Sequence, residues 1–156
     1  MGNMLVSIII PTFNSEKFIA ETIQSIQAQT YTKWEVIIVD DGSSDKTVSI
    51  ISKLAQFEER IQFFQLEGNS GAGIARNIAL NKVNGRYIAF LDSDDLISNN
   101  KISEQINIFR LNPESDFILA TCSFAFFDKT TNSSTIYDKE PFCLNFDNAF
   151  TFFFHL

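Results

Sequence analysis

The chain is poor in basic residues, cysteine and histidine, and each shortage narrows what it can be. Twelve Lys and Arg stand against nineteen Asp and Glu, a net charge of −7. With no basic surface to neutralise phosphates, this balance argues against a nucleic-acid partner. Two cysteines, Cys122 and Cys143, are too few for a disulfide framework and show no metal-ligand spacing. They read as buried thiols of a reducing compartment. His155 is the only histidine; flanked by Phe154 and Leu156, it reads as a packing residue and not as a catalyst. No apolar run reaches the length of a membrane-spanning helix. The short apolar stretch near Met1 lacks the basic flank of a signal peptide and reads as a strand. The expected location is therefore cytoplasmic, compatible with peripheral work at the inner face of a membrane. Repeats, low-complexity tracts and long linkers are absent as well.

What is present fits one domain over residues 1–156, with a core of its own. Apolar residues make up 45% and charged residues 20%, the balance of a globular protein. Phenylalanine is abundant, with 17 copies, and gathers late in the chain. The run Phe150-Thr151-Phe152-Phe153-Phe154-His155-Leu156 is strongly apolar and needs something to pack against. The expectations are that its packing partner belongs to a segment beyond this chain, and that the exposed run favours self-association.

Strand and helix patterns alternate four times. Strands are expected at Leu5 to Ile10, Trp34 to Val39, Ile61 to Leu66 and from Arg86 onward. Helices are expected at Glu16 to Gln29, with Ile19, Ile23 and Ile26 on one face, and at Lys46 to Phe57, with Val48, Ile51 and Ala55 inward. Two more follow at Ile74 to Val83, closed by Asn84-Gly85, and at Asn99 to Leu111, with Ile102, Ile106 and Phe109 on one face. Asn14 or Ser15 can cap the first helix, and Ser43, Ser44 or Asp45 the second. Beyond Pro113, Asp116 to Phe127 reads as one or two strands and Thr130 to Ser134 as a polar turn. The fold class is therefore α/β, doubly wound, with a mostly parallel sheet and helices on both faces.

In such folds ligands bind at the carboxyl ends of the strands, and here those ends are chemically loaded. Tyr87-Ile88-Ala89-Phe90-Leu91 runs into Asp92-Ser93-Asp94-Asp95, three carboxylates in one short loop. That charge calls for a counter-ion, and a hard divalent cation suits carboxylate oxygens. A solvated acidic turn that caps the next helix is the plain alternative for an isolated D-x-D-D. Val36-Ile37-Ile38-Val39 leads in the same way into Asp40-Asp41-Gly42-Ser43-Ser44-Asp45, and Val6-Ser7-Ile8-Ile9-Ile10 into Pro11-Thr12-Phe13-Asn14. Gly71-Ala72-Gly73-Ile74-Ala75-Arg76 is a weak match to a dinucleotide fingerprint. It lacks the third glycine and follows the third strand instead of the first.

These four segments, in this order and spacing, make residues from about 5 to 110 resemble the family 2 glycosyltransferases. The resemblance implies a GT-A fold and an inverting transfer of sugar from a nucleotide-diphosphate sugar, with a uracil preference, to a saccharide or cell-surface glycan acceptor, including lipid-linked ones. It implies that Pro11, Thr12, Phe13 and Asn14 border the base, and that Asp41 accepts a hydrogen bond from a ring nitrogen. Arg76 would lie near base and phosphates, Glu16 and Ser93 beside the nucleotide. Asp92 would approach the ribose or the metal, and Asp94 would ligate Mn²⁺ or Mg²⁺ bridging the diphosphate. Asp40, Ser43 and Ser44 read as structural. The family's general base and the basic, aromatic motif after it have no match here, so the chain is expected to hold the donor half without the base. A non-catalytic nucleotide-sugar-binding module is the alternative. A phosphotransferase using Asp92 as nucleophile fits less well, because its motif belongs on the first strand. A nucleotidyltransferase would need a glycine-rich basic loop after strand one.

Overall fold

The computed structural model describes residues 4–111 in full and, beyond them, the backbone of four short strands within 118–145. Met1–Asn99 and Asn100–Leu156 form two compact units.

In the first unit the β-branched runs become β1 (Val6–Thr12), β2 (Trp34–Asp40), β3 (Ile61–Gln65) and β4 (Tyr87–Phe90). They form one sheet in the order β3-β2-β1-β4, and every pairing is parallel. Parallel neighbours need crossover connections, supplied by α1 (Ile19–Gln27), α2 (Thr47–Phe57) and α3 (Ala72–Leu80). β1 and β2 lie at the centre, and every residue of both is buried. Side chains alternate between faces. Ile9, Ile37 and Val39 meet Ala75 and Ala79 of α3, with Phe64, Ile78 and Val83 packed around them. Ile8, Ile10, Val36 and Ile38 point to the opposite face and are buried too. The apolar stripe Ile19, Ile23 and Ile26 of α1 is fully buried, as is Ile51 of α2.

Pro11 sits inside a central strand, where a missing N–H usually breaks a ladder. The Leu91 amide bonds the Ile9 carbonyl, so Ile9 faces β4, and Pro11, two residues on, faces the same way. The last β1–β4 pair is Ile9↔Phe90. The absent donor therefore falls where the β1–β4 ladder has already ended.

Two expected helices begin or end elsewhere. α1 starts at Ile19 and not at Glu16, because residues 14–16 are drawn sideways onto the loop after β2. α3 stops at Leu80, short of Val83. Asn84 and Gly85 do not close it; they serve the amino end of the sheet. The Asn84 amide and side-chain Nδ2 donate to Glu35 at 2.7 and 2.9 Å. Ser7 Oγ donates to Glu35 at 2.6 Å and accepts from the Gly85 amide at 2.8 Å. Gln62 donates to the second Glu35 oxygen. Gly85 fits this close approach because a Cβ there would meet the Leu5 carbonyl oxygen at 2.7 Å. Burial pushes the Glu35 carboxyl up, but the hydrogen bonds from Ser7 and Asn84 outweigh it and hold the group below the usual glutamate range.

The second unit opens with α4 (Lys101–Leu111), which buries Ile102 and Ile106. β5 (Ile118–Ala120) pairs antiparallel with β8 (Cys143–Asn145), and β6 (Phe124–Asp128) with β7 (Ser133–Tyr137). The expected strand region from Asp116 resolves into β5 and β6. The expected polar turn is shorter than Thr130 to Ser134, since Ser133 and Ser134 pair with Asp128 and Phe127. Cys122, Asp138, Glu140, Asp147 and the run Phe150 to Leu156 with His155 lie outside the described residues. Among the described residues no helix is long and apolar enough to cross a membrane.

Candidate functional site

The strand order turns at β1: β2 and β3 lie on one side of it and β4 on the other. A sheet that reverses in this way leaves a crevice beyond the carboxyl ends of its strands. Here the crevice is a cleft of about 270 Å³ lined by Pro11, Thr12 and Phe13 after β1, Asp41 after β2, Ala72 and Arg76 of α3, and Asp92, Ser93 and Asp94 after β4. That is just under the size usual for small-molecule sites, about 300–1,000 Å³.

Each wall has a local cause. The Phe13 ring is 45% exposed, an aromatic face free to stack on a planar group. Asp41 is buried, and its two oxygens accept the Ser70 and Gly71 amides at 2.7 and 2.6 Å. It thereby fixes the loop that opens α3. Gly71 supports that loop with φ 96°, a conformation that favours glycine. Gly42, at φ 80°, lies so close to Gly68 that a Cβ would meet its backbone at 2.9 Å. The start of α3 thus borders the cleft, and its unpaired amides and dipole favour an anion. One turn into the helix, Arg76 reaches across to Asp92 at 2.6 Å. Both partners are partly exposed, so the pair stabilises the fold little and is free to exchange partners.

Asp92 and Asp94 are exposed at the cleft wall, and the Asp95 amide bonds the Asp92 carbonyl oxygen at 3.2 Å to close the turn. No group of three or more metal-ligating side chains occurs among the described residues. Two carboxylates from one turn nevertheless fit Mg²⁺ or Mn²⁺, which commonly take one or two protein carboxylates and complete their shell with phosphate and water.

Asn14 and Glu16 do not line the cleft. The Asn14 carboxamide oxygen accepts the Ser44 amide at 2.9 Å, and Glu16 accepts the Lys46 amide at 2.9 Å. In return Asp45 accepts the Glu16 amide at 3.1 Å, and Thr47 Oγ1 the Ser15 amide at 2.7 Å. The loops after β1 and β2 are zipped together, and Asn14 takes a positive φ of 50° to do so. Burial raises the Asp45 carboxyl, yet the Thr47 hydroxyl and the amides of Thr47 and Glu16 bring it below its usual range. Asp40 is fully buried and accepts from Thr12, Ser43 Oγ and the Ser43 amide, a structural role. The Ser93 hydroxyl is engaged by Ser15 Oγ at 2.6 Å, a partnership that sequence spacing gives no hint of.

The family described as Glycosyl transferase family 2 matches residues 7–154. The chain belongs to this family. Its relatives include WfgD of Escherichia coli, named as a UDP-Glc:alpha-D-GlcNAc-diphosphoundecaprenol beta-1,3-glucosyltransferase. WfgD is 44% identical over 113 residues, which cover 72% of this chain and 44% of WfgD. Among solved structures, S. aureus TarS 1–349 in complex with UDP superposes with a TM-score of 0.67 at 37% identity, over 74% of this chain and 34% of that one. The mannosyltransferase PcManGT from Pyrobaculum calidifontis, in complex with GDP-Man and Mn²⁺, gives 0.63 at 27% identity, over 67% of this chain and 32% of that one. The chain spans about half the length of the curated relatives it matches. As a family 2 glycosyltransferase its sheet is of the GT-A type.

Proposed function

We propose that this chain binds the donor in a metal-dependent, inverting transfer of a sugar from a UDP-linked donor to a saccharide acceptor, lipid-linked or on the cell surface. One observation carries the reading. A stackable aromatic ring, a buried carboxylate that orders the start of a helix, an arginine and two carboxylates of one turn all line a single cleft at the switch point of the sheet. Phe13 with Pro11 and Thr12 would hold the base, and Asp41 would also accept a hydrogen bond from it, since each of its oxygens keeps a second lone pair. Arg76 and the start of α3 would hold the diphosphate. Asp92 and Asp94 would hold Mn²⁺ or Mg²⁺. When bound, the cation supplies Lewis-acid stabilisation of the charge that grows on the departing nucleoside diphosphate. A relative solved with UDP and another solved with GDP-Man and Mn²⁺ support both halves of this reading.

Among the described residues, Asp41, Asp92 and Asp94 are the only carboxylates lining the cleft, and each already has a part in donor binding. The general base that deprotonates the acceptor would lie elsewhere. The same observation supports a second reading, a module that binds nucleotide sugars without turnover. Titration calorimetry with UDP, with and without Mn²⁺ or Mg²⁺, tests the shared core. Binding should depend strongly on the cation, and equal affinity in excess chelator would overturn the metal role. Transfer to an acceptor then separates the two readings. If transfer occurs, Asp138, Glu140 and Asp147 are the positions to substitute in search of the base.

A further inference from the structure

The apolar stripe of α1 is explained by the core, but the helix carries a second, polar stripe. Thr22 and Ser25 are neighbours on one side of α1, and Gln29 continues their row just past the helix end at Gln27. All three grip the segment that follows β4. Thr22 Oγ1 donates to the Ser93 carbonyl oxygen at 3.0 Å. Ser25 Oγ accepts the Ile97 amide at 3.3 Å. Gln29 Nε2 donates to the Ser98 carbonyl oxygen at 2.6 Å. Next to them, Ser15 Oγ and Ser93 Oγ share a hydrogen bond of 2.6 Å. Ser15 is itself held by Thr47 through its amide, and its carbonyl oxygen takes the Phe18 and Ile19 amides at the head of α1. Thr22 is fully buried and Ser15 nearly so.

The geometry points to a positioning role: the polar row along α1 and its flanks, with Thr22 and Ser15 at its site end, sets where the Asp92–Asp94 turn stands in the cleft. The two carboxylates are exposed; Asp92 has only the exchangeable Arg76 as partner, and Asp94 has no hydrogen bond among those described, so side-chain contacts alone do not set the pair. What fixes them is the backbone between them, and Ser93 is gripped at both its carbonyl and its hydroxyl. Free of the stripe, the turn would still carry two carboxylates but would present them over a range of separations. A small, rigid octahedral cation penalises that strongly. This inference rests on the donor-binding reading above, and deepens it by naming residues that act through Ser93 without touching the ligand.

The test uses the 156-residue chain with Thr22→Val, which keeps the shape and removes the donor, and Thr22→Ser, which keeps the donor. Two readouts are taken: hydrogen exchange of the 92–95 amides without ligand, and the Mn²⁺ concentration at which UDP binding is half-maximal. Thr22→Val should speed exchange at 92–95 while the β1 and β2 amides stay protected. It should raise the Mn²⁺ midpoint about tenfold, as loss of a group supporting metal ligands typically does, and leave cation-free UDP binding unchanged. Thr22→Ser should restore both readouts to near the wild-type values. Wild-type exchange and midpoint in Thr22→Val would overturn the positioning role. So would a Thr22→Ser variant as impaired as Thr22→Val, or a general loss of protection across the sheet, each of which marks a merely structural residue. A wild-type chain that binds UDP equally with and without cation would instead remove the metal role from the donor-binding reading, and the exchange data would still judge the tether.

Discussion

The two ends of the same four-stranded sheet treat their carboxylates in opposite ways. At the amino end, Glu35 is buried and saturated by donors of the chain itself: Ser7, Gln62 and both nitrogens of Asn84. At the carboxyl end, Asp92 and Asp94 stand exposed, with one guanidinium, that of Arg76, paired to Asp92. An internal donor set holds a carboxylate still and leaves it nothing further to do. An exposed pair with a single exchangeable partner retains its capacity to bind a cation. The difference teaches that acidic residues near strand ends are told apart by who satisfies them and not by their position. Asp40 and Asp41, adjacent in sequence, mark the middle of that range. Asp40 is fully enclosed, whereas Asp41 is spent on two loop amides but borders the cleft.

Substitutions at the two ends should therefore register in different measurements. The largest effect expected is on stability at the amino end. Glu35→Ala leaves Ser7 and Asn84 without their acceptor and should cost about 3 kcal/mol, since bonds to a charged group contribute about 1.5–3 kcal/mol each and are not additive. Urea unfolding would show it, and a change below 1 kcal/mol would place Glu35 with the exposed carboxylates. Asp94→Ala should do the reverse. Cation-dependent UDP binding should vanish while the circular dichroism and the unfolding midpoint stay put, because an exposed turn residue adds little to the core. A variant that unfolds would make Asp94 structural.

Between these extremes, Asp41→Asn should weaken UDP binding by about 1.5–3 kcal/mol. The amide would set an N–H against the Ser70 or Gly71 donor and offer the base a poorer acceptor. Asp40→Asn should lower the unfolding midpoint and leave UDP affinity nearly unchanged. Equal losses of affinity in the two would erase the distinction drawn here. The smallest effect is that of acid. A carboxylate held below its ordinary value in the fold stabilises the folded state wherever the unfolded chain is ionised too. That contribution is complete above the ordinary glutamate value of 4.5 and is lost as pH falls below it through the folded value. Unfolding curves from neutral pH to about pH 3 should decline in that window, and Glu35→Gln should flatten the decline. A decline that begins well above pH 4.5 would point to other groups.

Most of the sheet was legible because its strands are short apolar runs ending in turn residues, a pattern set by local chemistry. The convergence of Pro11, Phe13, Asp41, Arg76, Asp92 and Asp94 on one cleft follows from the parallel topology, which brings every strand's carboxyl end to the same edge. What the pattern does not carry is long-range polar pairing. Nothing near Glu35 announces Asn84, 49 positions later. Asn14 and Glu16 look like ligand contacts on a loop until the loop after β2 is seen to use them. For the same reason α1 starts later than its periodicity predicts, since helical periodicity takes no account of a neighbouring loop that competes for the first turn. The polar row of Thr22, Ser25 and Gln29 is visible in its spacing, but a sequence read for apolar faces passes over it.

Pro11 carries one more lesson. The mouth of the cleft opens where β1 and β4 part, and the residue that ends their pairing has no hydrogen to give. No drift in the side chains of the Leu91–Asp95 segment can lengthen β4 against β1 at that point, because the barrier is a ring closed on the backbone nitrogen. Side chains of the turn can thus be exchanged while the opening persists, a robustness that resides in covalent structure and not in any particular set of contacts.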